Sequence, residues 1–232
     1  MTRGAVSVVI AALDAERFVE EAIRSALDQT VPPEVVVLVD DGSTDATAEI
    51  AESIDARVTV LRRPHEGLGS SRNAGLAVAQ TEMIAFLDTD DVWLPHKLER
   101  QHAAFAADPT LEAVFCLVDE FLDGVALSVG IRAPRTGQSV PLSSGALLRR
   151  ALVDRLGPFD AGAVGDWVRW WARARALGVT EQFVPEVLFR RRIHGRNNSL
   201  VHGDQGHTFL DIAREHLRDL RADRGGRPDG GA

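Results

Sequence analysis

Three aspartates, Asp88, Asp90 and Asp91, directly follow the apolar run Ile84-Ala85-Phe86-Leu87. A buried strand that ends in three acids is electrostatically costly unless a cation neutralises them. Two aspartates one residue apart suit a hard divalent ion with oxygen ligands, of the kind that bridges to a diphosphate. The other reading is a solvated turn of helix-capping acids, since Pro95 soon opens a helix. A second acidic cluster, Asp40-Asp41-Gly42-Ser43-Thr44-Asp45, also follows an apolar run. Asp45 or Ser43 can cap the next helix and Gly42 can turn the chain, which leaves Asp40 and Asp41 without a local task. A carboxylate at a strand edge can accept N–H and O–H groups from a base or a ribose.

Three further stretches carry chemistry. In His65-Glu66-Gly67-Leu68-Gly69-Ser70-Ser71-Arg72-Asn73, Arg72 stands where a dinucleotide fingerprint would have its third glycine, and the stretch follows the third strand instead of the first. A glycine-rich turn opening a helix that carries Arg72 can still approach phosphate. Gly165-Asp166-Trp167-Val168-Arg169-Trp170-Trp171 sets one acid beside three tryptophans. Asp166 can serve as a base among apolar rings, or can cap a helix whose tryptophans pack the core. Arg190-Arg191-Arg192-Ile193-His194-Gly195-Arg196 is either a solvated charged face or a holder of diphosphate.

The elements that must position these residues alternate in period. Val6–Ala11, Val35–Val39, Val58–Leu61 and Met83–Leu87 are short apolar runs of strand length, and helical spacing covers 14–29, 45–54 and 70–79. Such alternation with fully apolar strands predicts a mainly parallel sheet with helices on both faces, whose ligands bind at the carboxyl ends of the strands. Both acidic clusters fall at that edge. Farther on, helices are expected over 95–107, 167–177 and 208–221, and strands over 112–119 and 181–189. Residues 123–144 read as a loop, and 224–232, rich in glycine, as a disordered tail.

Composition narrows the chemistry. The 232 residues carry a net charge of −8, which argues against nucleic acid as a partner. Tyrosine is absent, which excludes tyrosine nucleophiles, and Lys97 is the only lysine, hence the single candidate for a Schiff base. A lone cysteine, Cys116, excludes an intrachain disulfide and a CxxC metal site, and its apolar neighbours make it a core residue. No run approaches the ~18 apolar residues of a membrane span, and a cytoplasmic location is the simplest expectation.

In chain order the motifs are an apolar strand, Asp-Asp-Gly-Ser-Thr-Asp, Gly-x-x-x-x-Arg-Asn-x-Gly-Leu, and Phe-Leu-Asp-Thr-Asp-Asp-x-Trp-x-Pro-x-Lys-Leu. This resembles the family-2 glycosyltransferases of GT-A fold, densely over residues 6–101 and more thinly over 140–200. The resemblance implies an α/β, Rossmann-like domain with a mainly parallel central sheet. It implies inverting transfer of a sugar from a nucleoside-diphosphate sugar, commonly UDP-linked, to an acceptor, assisted by Mn2+ or Mg2+. By position, Asp41 corresponds to the acid that reads the base, and Ala11 and Leu13 to the end of the first strand beside it. Leu13 replaces the aromatic residue common there. Arg72 corresponds to the arginine near the nucleotide and phosphates. Asp88 and Asp90 match the Asp-x-Asp pair that contacts sugar, ribose and the metal-bridged diphosphate, with Asp91 adjacent. Asp166 matches the catalytic base. Arg192 and His194 lie in a stretch similar to an Arg-x-His-x-x-Asn-x-Ser ending, where His194 either contacts metal or phosphate or orders the loop.

The expected organisation is one domain over 1–223, with a nucleotide-sugar half over 1–110, an acceptor half over 111–203 and a terminal helix over 204–223. Two rivals are a sugar nucleotidyltransferase and a non-catalytic nucleotide-binding protein. The first usually carries a glycine-rich phosphate loop after its first strand, which Ala11-Ala12-Leu13-Asp14-Ala15 lacks.

Overall fold

Strands whose residues are apolar on both faces must be covered on both, and the sheet shows this. In β1 (Val6–Ala12) Val8 and Ile10 belong to one buried cluster while Val9 belongs to the other. In β4 (Met83–Phe86) Met83 and Ala85 alternate with Ile84 and Phe86 in the same way. The computed structural model of the chain describes residues 4–123, 133–161 and 165–194. The helix expected over 208–221, the tail over 224–232 and much of the loop over 123–144 lie outside them.

Among the described residues the remaining strands are β2 (Val35–Asp40), β3 (Val58–Arg62), β5 (Val92–Trp93), β6 (Ala113–Leu122), β7 (Leu147–Arg149) and β8 (Glu181–Ile193). One eight-stranded sheet runs β3-β2-β1-β4-β7-β6-β8-β5. Strands β3, β2, β1 and β4 are mutually parallel, as are β6 and β8, while β7 and β5 pair antiparallel to their neighbours. Helices α1 (Val19–Leu27), α2 (Thr47–Ile54) and α4 (Lys97–Ala107) cover one face, and α3 (Leu68–Val78), α5 (Arg150–Leu156) and α6 (Asp166–Ala176) the other. The mainly parallel, doubly covered α/β sheet read from the sequence is therefore present. No helix among the described residues is long and apolar enough to cross a membrane.

Three local differences have physical causes. The first helix begins at Val19 and not near Asp14. Asp14 has a left-handed backbone (φ 46°), and its carboxylate accepts the Thr44 amide at 2.8 Å while its own amide donates to Ser43 Oγ. Residues 14–16 are thus used to tie the loop after β1 to the loop after β2. The last strand runs on to Ile193 and takes in Arg190–Arg192, because β6 offers it a partner along that whole length. The segment 143–156 contains a 3-10 turn (Ser143–Gly145), β7 and α5, elements too short to show a period in sequence.

Helix α3 lies close on the sheet because Gly75 has no side chain. A Cβ there would stand 2.4 Å from Val9 Cγ1 and 3.3 Å from Val39 Cγ2. Gly75→Ala is expected to push α3 outward and lower stability by about 1–3 kcal/mol. Urea denaturation measures this, and an unchanged midpoint would show that α3 does not depend on the close approach.

Candidate active site

The site is organised by Arg72 on α3. Gly67 opens that helix with φ 94°, and at Gly69 a Cβ would meet the Asp160 carbonyl oxygen at 2.5 Å. The first turn of α3 therefore packs backbone-close against the chain leading to α6. Arg72, one turn inward and 3% exposed, donates to Asp166 Oδ2 at 2.5 Å and to Asp88 Oδ1 at 2.9 Å. Its guanidinium also lies 5.6 Å from the centroid of the Phe159 ring.

Asp166 is the first residue of α6, after Gly165 in the left-handed region. Its carboxylate goes to Arg72, 94 residues earlier in the chain. Trp167, Trp170 and Trp171 of the same helix pack against Phe86, Phe115 and Phe159. The tryptophans thus build the core, as one sequence reading had it, while the Asp166 carboxylate faces a cation and makes no cap.

The turn 88–91 meets the end of β8. His194 Nε2 lies 3.1 Å from Asp90 Oδ2, and Arg192 Nε donates to the Asp90 carbonyl at 3.2 Å. Arg192 also pairs with Glu21 and, at 3.3 Å, with Asp123, and it lies over the Phe18 and Phe121 rings. Arg190 lies over Phe121, and Arg191 is 3.8 Å from Glu120. The acidic edge and the arginine run therefore touch, through Asp90 and Arg192. Asp91 is buried beneath the turn; burial first, then the charges of Asp90 and Asp88, push its carboxyl well above the usual carboxylate range.

A second group sits at the ends of β1 and β2, which run in register with Ala11 beside Val39. Asp40 Oδ1 accepts the Ser43 amide at 3.0 Å. Asp41 accepts the amides of Glu66 at 3.0 Å and Gly67 at 2.9 Å, and its Oδ2 lies 2.8 Å from His65 Nδ1. Burial pushes the Asp41 pKa up, but the donors around it prevail and hold it below the ordinary value. Leu13, just past β1, is 44% exposed.

Residues 7–154 match the family model described as Glycosyl transferase family 2. The chain belongs to this family. An uncharacterised glycosyltransferase of Nostoc is 29% identical over 84% of this family-2 chain and 66% of its own length. Among solved structures, Staphylococcus aureus TarS in complex with UDP-GlcNAc superposes with a TM-score of 0.71 at 20% identity, over 91% of this chain and 65% of that one. The Pyrobaculum calidifontis mannosyltransferase PcManGT, in complex with GDP-Man and Mn2+, superposes at 0.73 and 19% identity, over 94% and 65%. These likenesses establish the GT-A fold. The family-2 chain spans slightly under two thirds of the length of each of these three proteins.

Sequence reasoning missed the residues that hold Asp88 in this family-2 site. Ser143 Oγ donates to Asp88 Oδ2 at 3.1 Å, and the Asp88 amide donates to Ser144 Oγ at 3.1 Å. The segment carrying these serines is gripped by its carbonyls. Trp93 Nε1 donates to Ser144 O at 2.8 Å, Gln101 Nε2 to Gly145 O at 2.8 Å, and Lys97 Nζ to Ala146 O at 3.3 Å. The Trp-x-Pro-x-Lys signal was visible, but its target lies some fifty residues away and nothing local points to it. Lys97 has no exposed surface and sits 3.9 Å over the Trp93 ring, so the only lysine has no access to a substrate carbonyl. Cys116 is a buried core residue, as its neighbours implied.

Burial pulls the Lys97 pKa down from 10.5 to about 8. Between those values the unfolded chain holds a proton that the folded one has lost, so the contribution of Lys97 to stability rises with pH across that window. The stability of the wild type relative to Lys97→Met is expected to increase by about 3 kcal/mol from pH 8 to 10.5. Denaturant titrations at the two pH values measure it, and a flat difference would contradict the depressed pKa.

Proposed function

We propose that this family-2 chain transfers a sugar, with inversion, from a UDP-linked or related nucleoside-diphosphate sugar to an acceptor nucleophile, with Asp166 as general base. The observation that carries the reading is the buried Arg72, shared by Asp88 and Asp166. Arg72 reaches Asp166 at 2.5 Å and Asp88 of the Asp-x-Asp pair at 2.9 Å. A candidate base and a candidate donor-binding motif are thereby held on one cation. The TarS and PcManGT structures carry UDP-GlcNAc and GDP-Man, which supports a nucleotide-sugar donor.

In this reading Asp166 accepts the proton of an acceptor hydroxyl as its oxygen bonds to the anomeric carbon, and the bond from that carbon to the diphosphate oxygen breaks. Arg72 and Arg192 supply positive charge on the donor side. Ala11, Leu13 and Asp41 form the base end. Residues 1–110 act as the donor half and 111–203 as the acceptor half of one domain working in the cytoplasm.

The reading includes Mn2+ or Mg2+. Among the described residues no three ligating side chains form a ready-made metal site. Asp90 and His194 meet at 3.1 Å and offer one oxygen and one nitrogen, a set that fits an ion completed by oxygens of the donor. Asp88 stands two residues away, and Asp91 supports the turn from within. Bound there, the ion would neutralise charge on the departing diphosphate.

Calorimetry with UDP and Mn2+, together with assays of UDP release from UDP-sugars, tests the assignment. Asp166→Asn is expected to bind UDP within about threefold of wild type and to lose roughly 10²–10⁴-fold in transfer; full transfer activity would remove Asp166 as the base. Asp90→Ala is expected to lose the Mn2+-dependent part of UDP binding, and retention of that dependence would remove Asp90 from the metal set.

A further inference from the structure

One aromatic ring serves two groups that meet Asp90. Phe18 stands at the N-terminal cap position of α1, where its amide donates to the Ala15 carbonyl at 2.9 Å and its carbonyl accepts from the Ala22 amide at 3.1 Å. The Phe18 and His194 rings lie 4.9 Å apart between centroids, tilted by 35°. The Arg192 guanidinium lies 5.0 Å from the centroid of the same Phe18 ring. His194 in turn faces the Asp90 carboxylate, and Arg192 donates to the Asp90 carbonyl.

The two groups depend on Phe18 to different degrees. Arg192 lies within β8, packs over Phe121 as well, and pairs with Glu21 and Asp123. These contacts remain when the Phe18 ring is removed. His194 stands one residue past Ile193, the last paired position of β8, so the strand ladder does not orient it. Its ring is laid against Phe18, with 11% of the side chain exposed. Phe18 and Glu21 are three residues apart, which puts them on one face of the helix start. The first turn of α1 therefore presents a ring and an acid together to the end of β8.

A histidine that is to hold an ion binds it better when its ring is already oriented, because a free ring loses rotational freedom on binding. We propose that Phe18 is a positioning residue of the Asp90–His194 pair: its ring fixes the imidazole beside the Asp90 carboxylate, so that a divalent cation arriving with a nucleoside diphosphate meets both side chains in place. This rests on the metal-assisted nucleotide-sugar reading above. Phe18 acts on the ion only through His194. The task requires a ring and not bulk alone, since ring-on-ring packing has a preferred geometry that an aliphatic side chain lacks.

The test is calorimetry with UDP or GDP, whichever the wild type binds more tightly, with and without Mn2+, on variants whose thermal unfolding shows them folded. Phe18→Leu is expected to weaken binding in Mn2+ by about three- to tenfold and to leave binding without Mn2+ within about twofold of wild type. Phe18→Met, a second ring-free variant, should behave in the same way. Phe18→Tyr, which restores the ring, should stay within about twofold of wild type in Mn2+. Because the ring acts through the imidazole, Phe18→Leu combined with His194→Ala should bind within about twofold of His194→Ala alone. An unchanged Mn2+ dependence in both folded ring-free variants overturns the proposal. So does an equal loss in folded Phe18→Tyr, or losses that multiply in the double variant. A wild type that binds the diphosphate without any Mn2+ dependence removes the metal reading and the proposal with it. A wild type that binds neither diphosphate removes the nucleotide-sugar reading itself.

Discussion

A buried guanidinium between two carboxylates is the constraint on which the rest of the site depends. Arg72, 3% exposed, is tolerable inside the protein only because Asp88 and Asp166 both face it. Each of the three comes from a different part of the chain: Arg72 from α3, Asp88 from the turn after β4, Asp166 from the start of α6. Removing Arg72 would leave two carboxylates facing each other without a cation. The electrostatic requirement that keeps the fold closed is therefore the one that brings a candidate base to a candidate donor motif. Glycines at 69 and 75 serve the same end, by letting α3 approach the α6 side and the sheet closely enough for the arginine to reach.

Around that centre the polar groups are arranged in layers. Ser143 and Ser144 hold the carboxylate and amide of Asp88, and Trp93, Gln101 and Lys97 hold the carbonyls of the serine segment. A buried carbonyl must be hydrogen-bonded, so each of these side chains meets a demand of the backbone as well as steadying the site. On the other side of the turn, Arg192 is matched by Glu21 and Asp123, while His194 meets the side chain of Asp90. The net charge of −8 thus averages an acidic turn against the arginines of β8, which face one another.

Much of this was legible beforehand, and the reason differs by region. The β1–β4 half announced itself because its strands are continuous apolar runs that must be covered on both faces, and acids placed at their ends have few structural explanations. Asp88, Asp90, Asp41 and Arg72 could be picked out from that context. Ser143 and Ser144 could not, since serines in a glycine- and proline-rich stretch look like any loop. The short β7 and two-residue β5 carry no period, so the antiparallel part of the sheet was invisible for the same reason. His65 appeared only as one end of a glycine-rich turn, because its pairing with Asp41 spans 24 residues.

The sequence by itself determined the class of fold, the family and the chemical types available, because patterning and motif spacing are local properties of a chain. It left open whether the Asp166 carboxylate caps its helix, whether the arginine run is solvated, and what Lys97 does. Tertiary structure decided these. Asp166 meets Arg72 and leaves capping aside, Arg192 is enclosed by acids and aromatic rings beside Asp90, and Lys97 is buried over Trp93. The physical reason is common to all three. The energy of a charged side chain depends on which groups surround it in space, and those groups come from positions tens to more than a hundred residues away.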